Sequence, residues 1–273
     1  GGSVVRVARG ALPATLGVPF SAVGQPSSEV WIALFDGLTR IDPAGVVRPA
    51  LAESWTYIAP STWRFRLRPG VVFHNGAPLT ADAVIASLDI LRRPESAKFY
   101  VAQEFDHVTA LRAVDELTVD IETREPDALL PRKMSMIFVV EPSAWAARGE
   151  DGFAQQPVGT GPFMIADWGR ASGATRLVAF RQSWRTPKID AVELFTVVEP
   201  VRRIQALLSG QVDIATRLGP EELRALPEAD FKVVTIEKSQ VMSLTFSVVG
   251  NEDSPVADTR VRRALSMAVD RRR

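Results

Sequence analysis

"LAESWTYIAPSTWRFRLRPGVVFHNGAPLTADAV" runs from Leu51 to Val84 and changes pattern several times. From Thr62 to Arg68, Trp63, Phe65 and Leu67 alternate with Arg64, Arg66 and Arg68. A period of two residues predicts a strand with one buried and one wet face. Pro69-Gly70 turns the chain, Val71–Phe73 reads as a short strand, and His74-Asn75-Gly76 turns it again. The hydroxyl of Thr80 suits the open N–H groups of a helix start, which predicts a helix from there to about Leu91. Asp82 falls in its first turn, where the helix dipole favours a negative charge.

Outward from this stretch the pattern differs on the two sides. Before it, Val4–Arg9 reads as a first strand, Gly10–Ser27 as a loop, and Ser28 as the cap of a helix that runs to Asp36 and ends at Gly37. After it, His107–Val114 and Leu117–Thr123 read as a hairpin around Asp115-Glu116, with a short helix at Asp127–Arg132 and an irregular stretch at Trp145–Gln156. Strands then alternate with helices. Phe163–Trp168, Thr175–Phe180, Ala191–Val198, Gln211–Thr216, Phe231–Glu237 and Val241–Val248 read as strands. Pro200–Leu208 and Pro220–Leu226 read as helices, and Asp258 caps a last amphipathic helix. Strand–helix alternation at both ends with a strand-rich middle predicts an α/β core, residues 1–47 and 157–273, interrupted by an inserted α+β subdomain, residues 48–156.

Composition narrows the function. The chain has 273 residues, of which 46% are hydrophobic, enough for a substantial core. Lys+Arg and Asp+Glu each total 32, so there is no basic excess of the kind a nucleic-acid binder carries. Cysteine is absent, which excludes disulfides, thiolate metal sites and a cysteine nucleophile. No apolar run approaches the ~20 residues of a membrane span. Gly1-Gly2-Ser3 resembles an expression scar or linker, and the chain stops at Asp270–Arg273 directly after a helix.

A catalytic constellation is not legible. His74 and His107 are the only imidazole bases, neither lies beside a G-x-S-x-G serine, and both read as structural or surface histidines. The sequence lacks H-E-x-x-H and an acidic calcium loop, and Glu221-Glu222 and Glu252-Asp253 read as solvated charges. No cofactor or metal is expected. Phe99, Tyr100, Trp168, Trp184 and Phe246 are candidates for an apolar pocket, although aromatics so spaced are more often core. "PVGTGPF" at Pro157–Phe163 has the look of a phosphate loop, but Pro162 forces extended geometry on Gly161 and a strand pattern follows, so no helix dipole faces it. It reads as a tight crossing between insert and core. A solid core without a catalytic signature favours a binder. The rival readings are a hydrolase with a triad scattered along the chain and a chaperone-like interaction domain.

The ordered motifs resemble the extracytoplasmic solute-binding proteins of family 5, the peptide, dipeptide and nickel binders of ATP-binding-cassette importers. "LFDGLTRID" at Leu34–Asp42, the long stretch at Leu51–Val84, "PVGTGPF", "RRIQALLSGQVDIA" at Arg202–Ala215 and "DTRVRRALSMAVDRRR" at Asp258–Arg273 carry the resemblance over essentially the whole chain. It implies a periplasmic-binding-protein-like lobe (class II, cluster C) with a mixed-sheet core and an inserted subdomain. The second lobe would be absent, the chain being most of lobe one of a longer protein. It further implies capture of an oligopeptide or other small solute in a cleft between lobes, delivery to permease subunits at the membrane, a periplasmic or extracytoplasmic location, a monomer, and no nucleic-acid partner. By the same resemblance the ligand-facing positions are Val23, Gly24 and Gln25 in the loop after the first strand, Tyr100 after the insert's first long helix, and Met242, Ser243 and Ser247 before the last helix. Leu12-Pro13-Ala14 replaces the family's L-D-P, and the loop at Val23 has no acidic residue to meet a peptide amine, so the expected solute departs from a standard peptide.

Overall fold

A computed structural model describes residues 2–21, 27–224, 226–227, 230–235 and 254–269. In chain order the first elements are β1 (Val4–Arg9), α1 (Ser27–Leu34), β2 (Thr39–Ile41), β3 (Val47–Pro49), β4 (Ala52–Ala59), β5 (Thr62–Leu67), α2 (Ala81–Leu91) and α3 (Tyr100–Phe105). There follow β6 (Val108–Asp115), β7 (Thr118–Thr123), α4 (Leu130–Lys133), α5 (Pro142–Gln155), β8 (Phe163–Asp167), β9 (Ala174–Ala179) and β10 (Ala191–Thr196). The last are α6 (Pro200–Leu208), β11 (Ile214–Ala215), α7 (Pro220–Leu223) and α8 (Thr259–Ala268).

The Leu51–Val84 stretch folds much as its pattern requires. β5 lies inside a four-stranded antiparallel sheet ordered β4-β5-β7-β6. Phe65 and Leu67 are buried, and Phe65 pairs with Val119 and Trp63 with Ile121 across β7. On the opposite face Arg64 lies across from Asp120 and donates to both carboxylate oxygens at 2.8 Å. Thr80 caps α2 by accepting from the Ala83 N–H, and α2 packs on β6 and β7. Val71–Phe73 contributes only an isolated bridge, Val72 to Pro78.

The second large sheet has the order β11-β1-β10-β9-β8. β1 runs parallel to both β10 and β11, with Val7 opposite Leu194 on one side and Ile214 on the other, while β8 and β9 are antiparallel additions. A single hydrophobic core reaches from Val18 through Phe65, Ile121 and Phe153 to Leu194, so material from both sheets shares it. Residues 1–227 form one compact unit and residues 228–273 another.

Several expectations are corrected. Trp145–Gln156 is helical, as α5, not irregular. Glycines at 149 and 152 blur its periodicity, and Gly149 (φ 64°) kinks it, but burial of Trp145 and Phe153 against Phe20 and Phe35 holds it helical. α1 begins at Ser27, ahead of the Ser28 cap position, and ends at Leu34 rather than Asp36. Gly37 instead bridges Phe138, where a Cβ would stand 2.4 Å from the Met134 carbonyl oxygen. In the 228–273 unit, residues 231–235 have no regular structure, so the strand expected at Phe231–Glu237 does not form there. The strand expected at Val241–Val248 lies outside the described residues. α8 does start at Asp258, whose carboxylate accepts from the Arg260 N–H.

Candidate functional site

The Pro157–Phe163 turn shows first why it is built of glycine. A Cβ on Gly159 would stand 2.2 Å from the Leu34 carbonyl oxygen, and one on Gly161 2.4 Å from that of Ala33. The turn thus lies directly on the end of α1, and the Gly161 N–H donates to the Leu34 carbonyl. Between the glycines, the fully buried Thr160 donates its hydroxyl to Asp36 at 2.8 Å. Asp36, itself buried, also accepts from the Trp184 indole at 3.1 Å and pairs with Arg185 at 2.8 Å. Against the turn, the Gly159 N–H donates to His74 Nδ1 and the Gly161 carbonyl accepts from Nε2, partners that assign the Nε2–H tautomer. Burial pushes the His74 pKa down to about 4, against the upward pull of the Gly161 carbonyl. The imidazole is therefore neutral at pH 7 and works as a clamp.

His107 is engaged through one ring nitrogen. Its Nε2 lies 2.8 Å from Asp127, which Lys133 approaches at 3.0 Å. Burial opposes ionisation of Asp127, but Lys133, the Leu129 N–H and His107 together hold its carboxyl below the ordinary range. Among the described residues neither imidazole hydrogen-bonds a serine.

Of the ligand-facing positions implied by resemblance, Val23, Gly24, Gln25, Met242, Ser243 and Ser247 lie outside the described residues. Tyr100 is described. It opens α3 and is 44% exposed, while the adjacent Phe99 ring is buried against Phe20. The Val101 N–H donates to the Phe20 carbonyl, which ties the start of α3 to residue 20. The remaining pocket aromatics diverge. Phe99 and Trp168 belong to the core, Trp184 leans on Asp36, and Phe246 lies outside the described residues.

A constellation that the sequence reading missed sits at the carboxyl ends of the parallel strands. Arg9 closes β1 and is 2% exposed. Its Nη2 lies 3.4 Å from Glu29 in the first turn of α1, and the other Glu29 oxygen lies 3.7 Å from Nε of Arg217, just past β11. Burial pulls the Arg9 pKa below its ordinary value, Glu29 opposes that, and the nearby Arg217 adds to it. Arg203 on α6 is buried behind them and ties the strand ends together. Its guanidinium donates to the carbonyls of Val197 and Val198 at 2.7 Å and of Arg217 at 2.9 Å. The parallel ladder continues through this edge, with Val197 N–H to Arg9 and Thr216 N–H to Ala8. The only hint in the sequence was an arginine ending an apolar strand before a glycine. The pairing of residues 9, 29 and 217 is a product of topology.

A groove of about 550 Å³ also opens beside the glycine turn, walled by His74, Gln155, Met164, Trp168 and Arg170. Among the described residues no three His, Cys, Asp or Glu side chains are grouped to hold a metal ion, and no helix is long and apolar enough to cross a membrane.

The family model described as "Bacterial extracellular solute-binding proteins, family 5 Middle" matches residues 46–273, and the chain belongs to this family. Di/tripeptide-binding protein 2 of Pseudomonas aeruginosa is 28% identical over 94% of this chain and 51% of its own length. The HTH-type transcriptional regulator SgrR of Pectobacterium atrosepticum is 32% identical over 54% of this chain and 25% of its own length. The periplasmic binding protein DppA of Helicobacter pylori, solved with the peptide STSA, superposes with a TM-score of 0.70 at 23% identity, over 82% of this chain and 48% of DppA, a likeness of fold. The chain therefore spans about a quarter to a half of the length of these relatives.

Proposed function

We propose that this chain forms most of the first lobe of the substrate-binding component of an ATP-binding-cassette importer. In this reading the whole protein is extracytoplasmic and not an enzyme, closes two lobes on a peptide or related small solute, and passes it to membrane permease subunits. The observation that carries the reading is the similarity to a di/tripeptide-binding protein over 94% of the chain. Residues 1–47 and 157–273 would be the discontinuous core and 48–156 the insert. That division is supported by the five-stranded sheet drawing on β1 and β8–β11 and the four-stranded sheet on β4–β7. Tyr100 would face the solute, as would Val23, Gly24, Gln25, Met242, Ser243 and Ser247.

The test is a thermal-shift screen of the full-length protein against di- and tripeptides, nickel chelates, opines and sugars. A true ligand raises Tm as RT ln(1 + [L]/Kd). No shift with any of these solutes, together with turnover of an ester or peptide, would sink the reading. The similarity to SgrR favours a second use of the same lobe, as part of a transcriptional regulator. Solute uptake by vesicles reconstituted with the cognate permease separates the two.

A further inference from the structure

We propose that the open edge of β8 is a docking groove for an extended acidic segment of a partner protein, which adds there as a sixth strand of the large sheet. The inference goes beyond the reading of this chain as a solute-binding lobe and does not rest on it.

The sheet is the first support. β8 ends the five-stranded sheet and pairs with β9 alone. The Phe180 N–H donates to the Pro162 carbonyl, and Met164 lies across from Val178, so Pro162 and Met164 turn their backbone groups toward β9. Backbone direction alternates along a strand, so Gly161, Phe163 and Ile165 turn theirs outward. Gly161 spends its outward groups on the Leu34 carbonyl and on His74. Those of Phe163 and Ile165 have no hydrogen-bond partner among the described residues. A strand edge left in that state is a template for another chain.

The groove is the second. The space of about 550 Å³ beside the glycine turn is lined by residues 164–168 in unbroken succession. Side chains of a strand alternate between its two faces, so only the edge presents every residue to one groove. The opposite wall is the end of α5 and the segment after it, residues 155–158. The Gln155 carbonyl accepts from the Trp168 indole at 2.9 Å, and the Gln156 carbonyl accepts from Arg148, so this wall is held in place. Both sides of the groove therefore exist before a strand arrives, which lowers the ordering cost of docking.

Charge is the third. Arg148 and Arg170 line the groove and are exposed. Asp167 is the acid among the described lining residues, and its carboxylate is already engaged. It accepts from the Gly169 N–H at 2.9 Å and from the Ser172 hydroxyl at 2.8 Å, which shapes the loop that carries Arg170. The free strand edge selects an extended backbone, and the two arginines select acidic side chains on it. β8 has five residues and spans about 17 Å at about 3.4 Å per residue, so a dipeptide solute covers less than half of it.

The competing account is a guarded edge, in which the register shift between Ile165 and Asp167 and the flanking charges only keep other strands away. It predicts no saturable binding. The probe is the hexapeptide acetyl-Glu-Val-Glu-Val-Glu-Val-amide, followed by NMR on full-length protein labelled with ¹⁵N-isoleucine. The Ile165 N–H resonance, assigned by its loss in Ile165→Val, is expected to move saturably with a Kd below about 1 mM. Two N-methylated forms read the pairing, one methylated on every glutamate and one on every valine. Alternate residues of an added strand point their N–H groups at β8, so one form should bind at least roughly tenfold more weakly than the other. The lysine counterpart should bind more weakly than the glutamate peptide. Arg170→Gln should weaken the glutamate peptide by roughly threefold at low salt and keep the parent's Tm, because the side chain is exposed. No movement of Ile165 up to about 5 mM peptide, or equal binding of the two N-methylated forms, overturns strand addition. Equal binding of the glutamate and lysine peptides overturns the acidic partner. The outcome is separable from the importer reading. If solutes raise Tm and the hexapeptide leaves Ile165 unmoved, capture stands and the docking edge falls. If the hexapeptide moves Ile165 and no solute raises Tm, the docking edge stands and capture falls.

Discussion

The two sheets of this protein reach their stability by different routes. The four-stranded sheet is built from two hairpins, β4 into β5 and β6 into β7, joined through β5 and β7, whose apolar and polar residues alternate. Its wet face is held by ion pairs such as Arg64–Asp120 and Arg112–Glu122. The five-stranded sheet is built from distant parts, with β1 at residues 4–9 inserted between β10 at 191–196 and β11 at 214–215. It is joined to the shared core through the buried contacts of the glycine turn with α1, Asp36 and His74. Local strands can tolerate loss of a surface contact. A sheet assembled across the chain depends on a few close approaches that nothing adjacent can replace.

The comparison predicts a hierarchy of effects. The largest is Gly159→Ala, whose Cβ would fall 2.2 Å from the Leu34 carbonyl oxygen and 2.4 Å from the Phe35 ring. Backbone has to move on one side, and a loss of about 3 kcal/mol or more in urea denaturation is expected. A loss below that of an ordinary surface change would show that the turn can draw away from α1. Next is the pH response of His74. Its imidazole is neutral when folded down to about pH 4, whereas in the unfolded chain it protonates near the ordinary histidine value of 6.5. Between those values the unfolded chain takes up a proton that the folded chain refuses, so stability falls as pH drops from 6.5 to 4, by up to about 3 kcal/mol, and this contribution levels off below. Denaturation midpoints at pH 7, 5 and 4, compared with His74→Gln, isolate the contribution from the carboxylates. An identical profile in the variant would remove His74 from the account. The smallest is Arg64→Ala on the wet face of the four-stranded sheet. The arginine side of the pair with Asp120 is 41% exposed and solvated, so the midpoint should move far less than for Gly159→Ala. A loss as large as that of Gly159→Ala would reverse the comparison.

The α5 helix shows why part of the fold was illegible. Gly149 and Gly152 remove the periodic signal, and the helix is recovered only by burying Trp145 and Phe153 among aromatics from residues 20 and 35. The short α3 was hidden for the same reason, as Val101 and Phe105 become a helix face only once the core is present. Of the expected ligand-facing residues, Tyr100 alone lies among the described residues, exposed beside the buried Phe99.

By itself, the sequence determined the alternating strands β5 and β7, the Thr80 and Asp258 helix starts, and the ordered motifs of the family, because each depends on residues a few positions apart. Tertiary structure alone decided what the glycine turn is for and which charges meet at the strand ends. Arg9, Glu29 and Arg217 are joined by more than two hundred residues of chain and by no pattern. Only the insertion of β1 between β10 and β11 brings them within reach of one another, because a parallel sheet aligns the ends of strands that are remote in sequence.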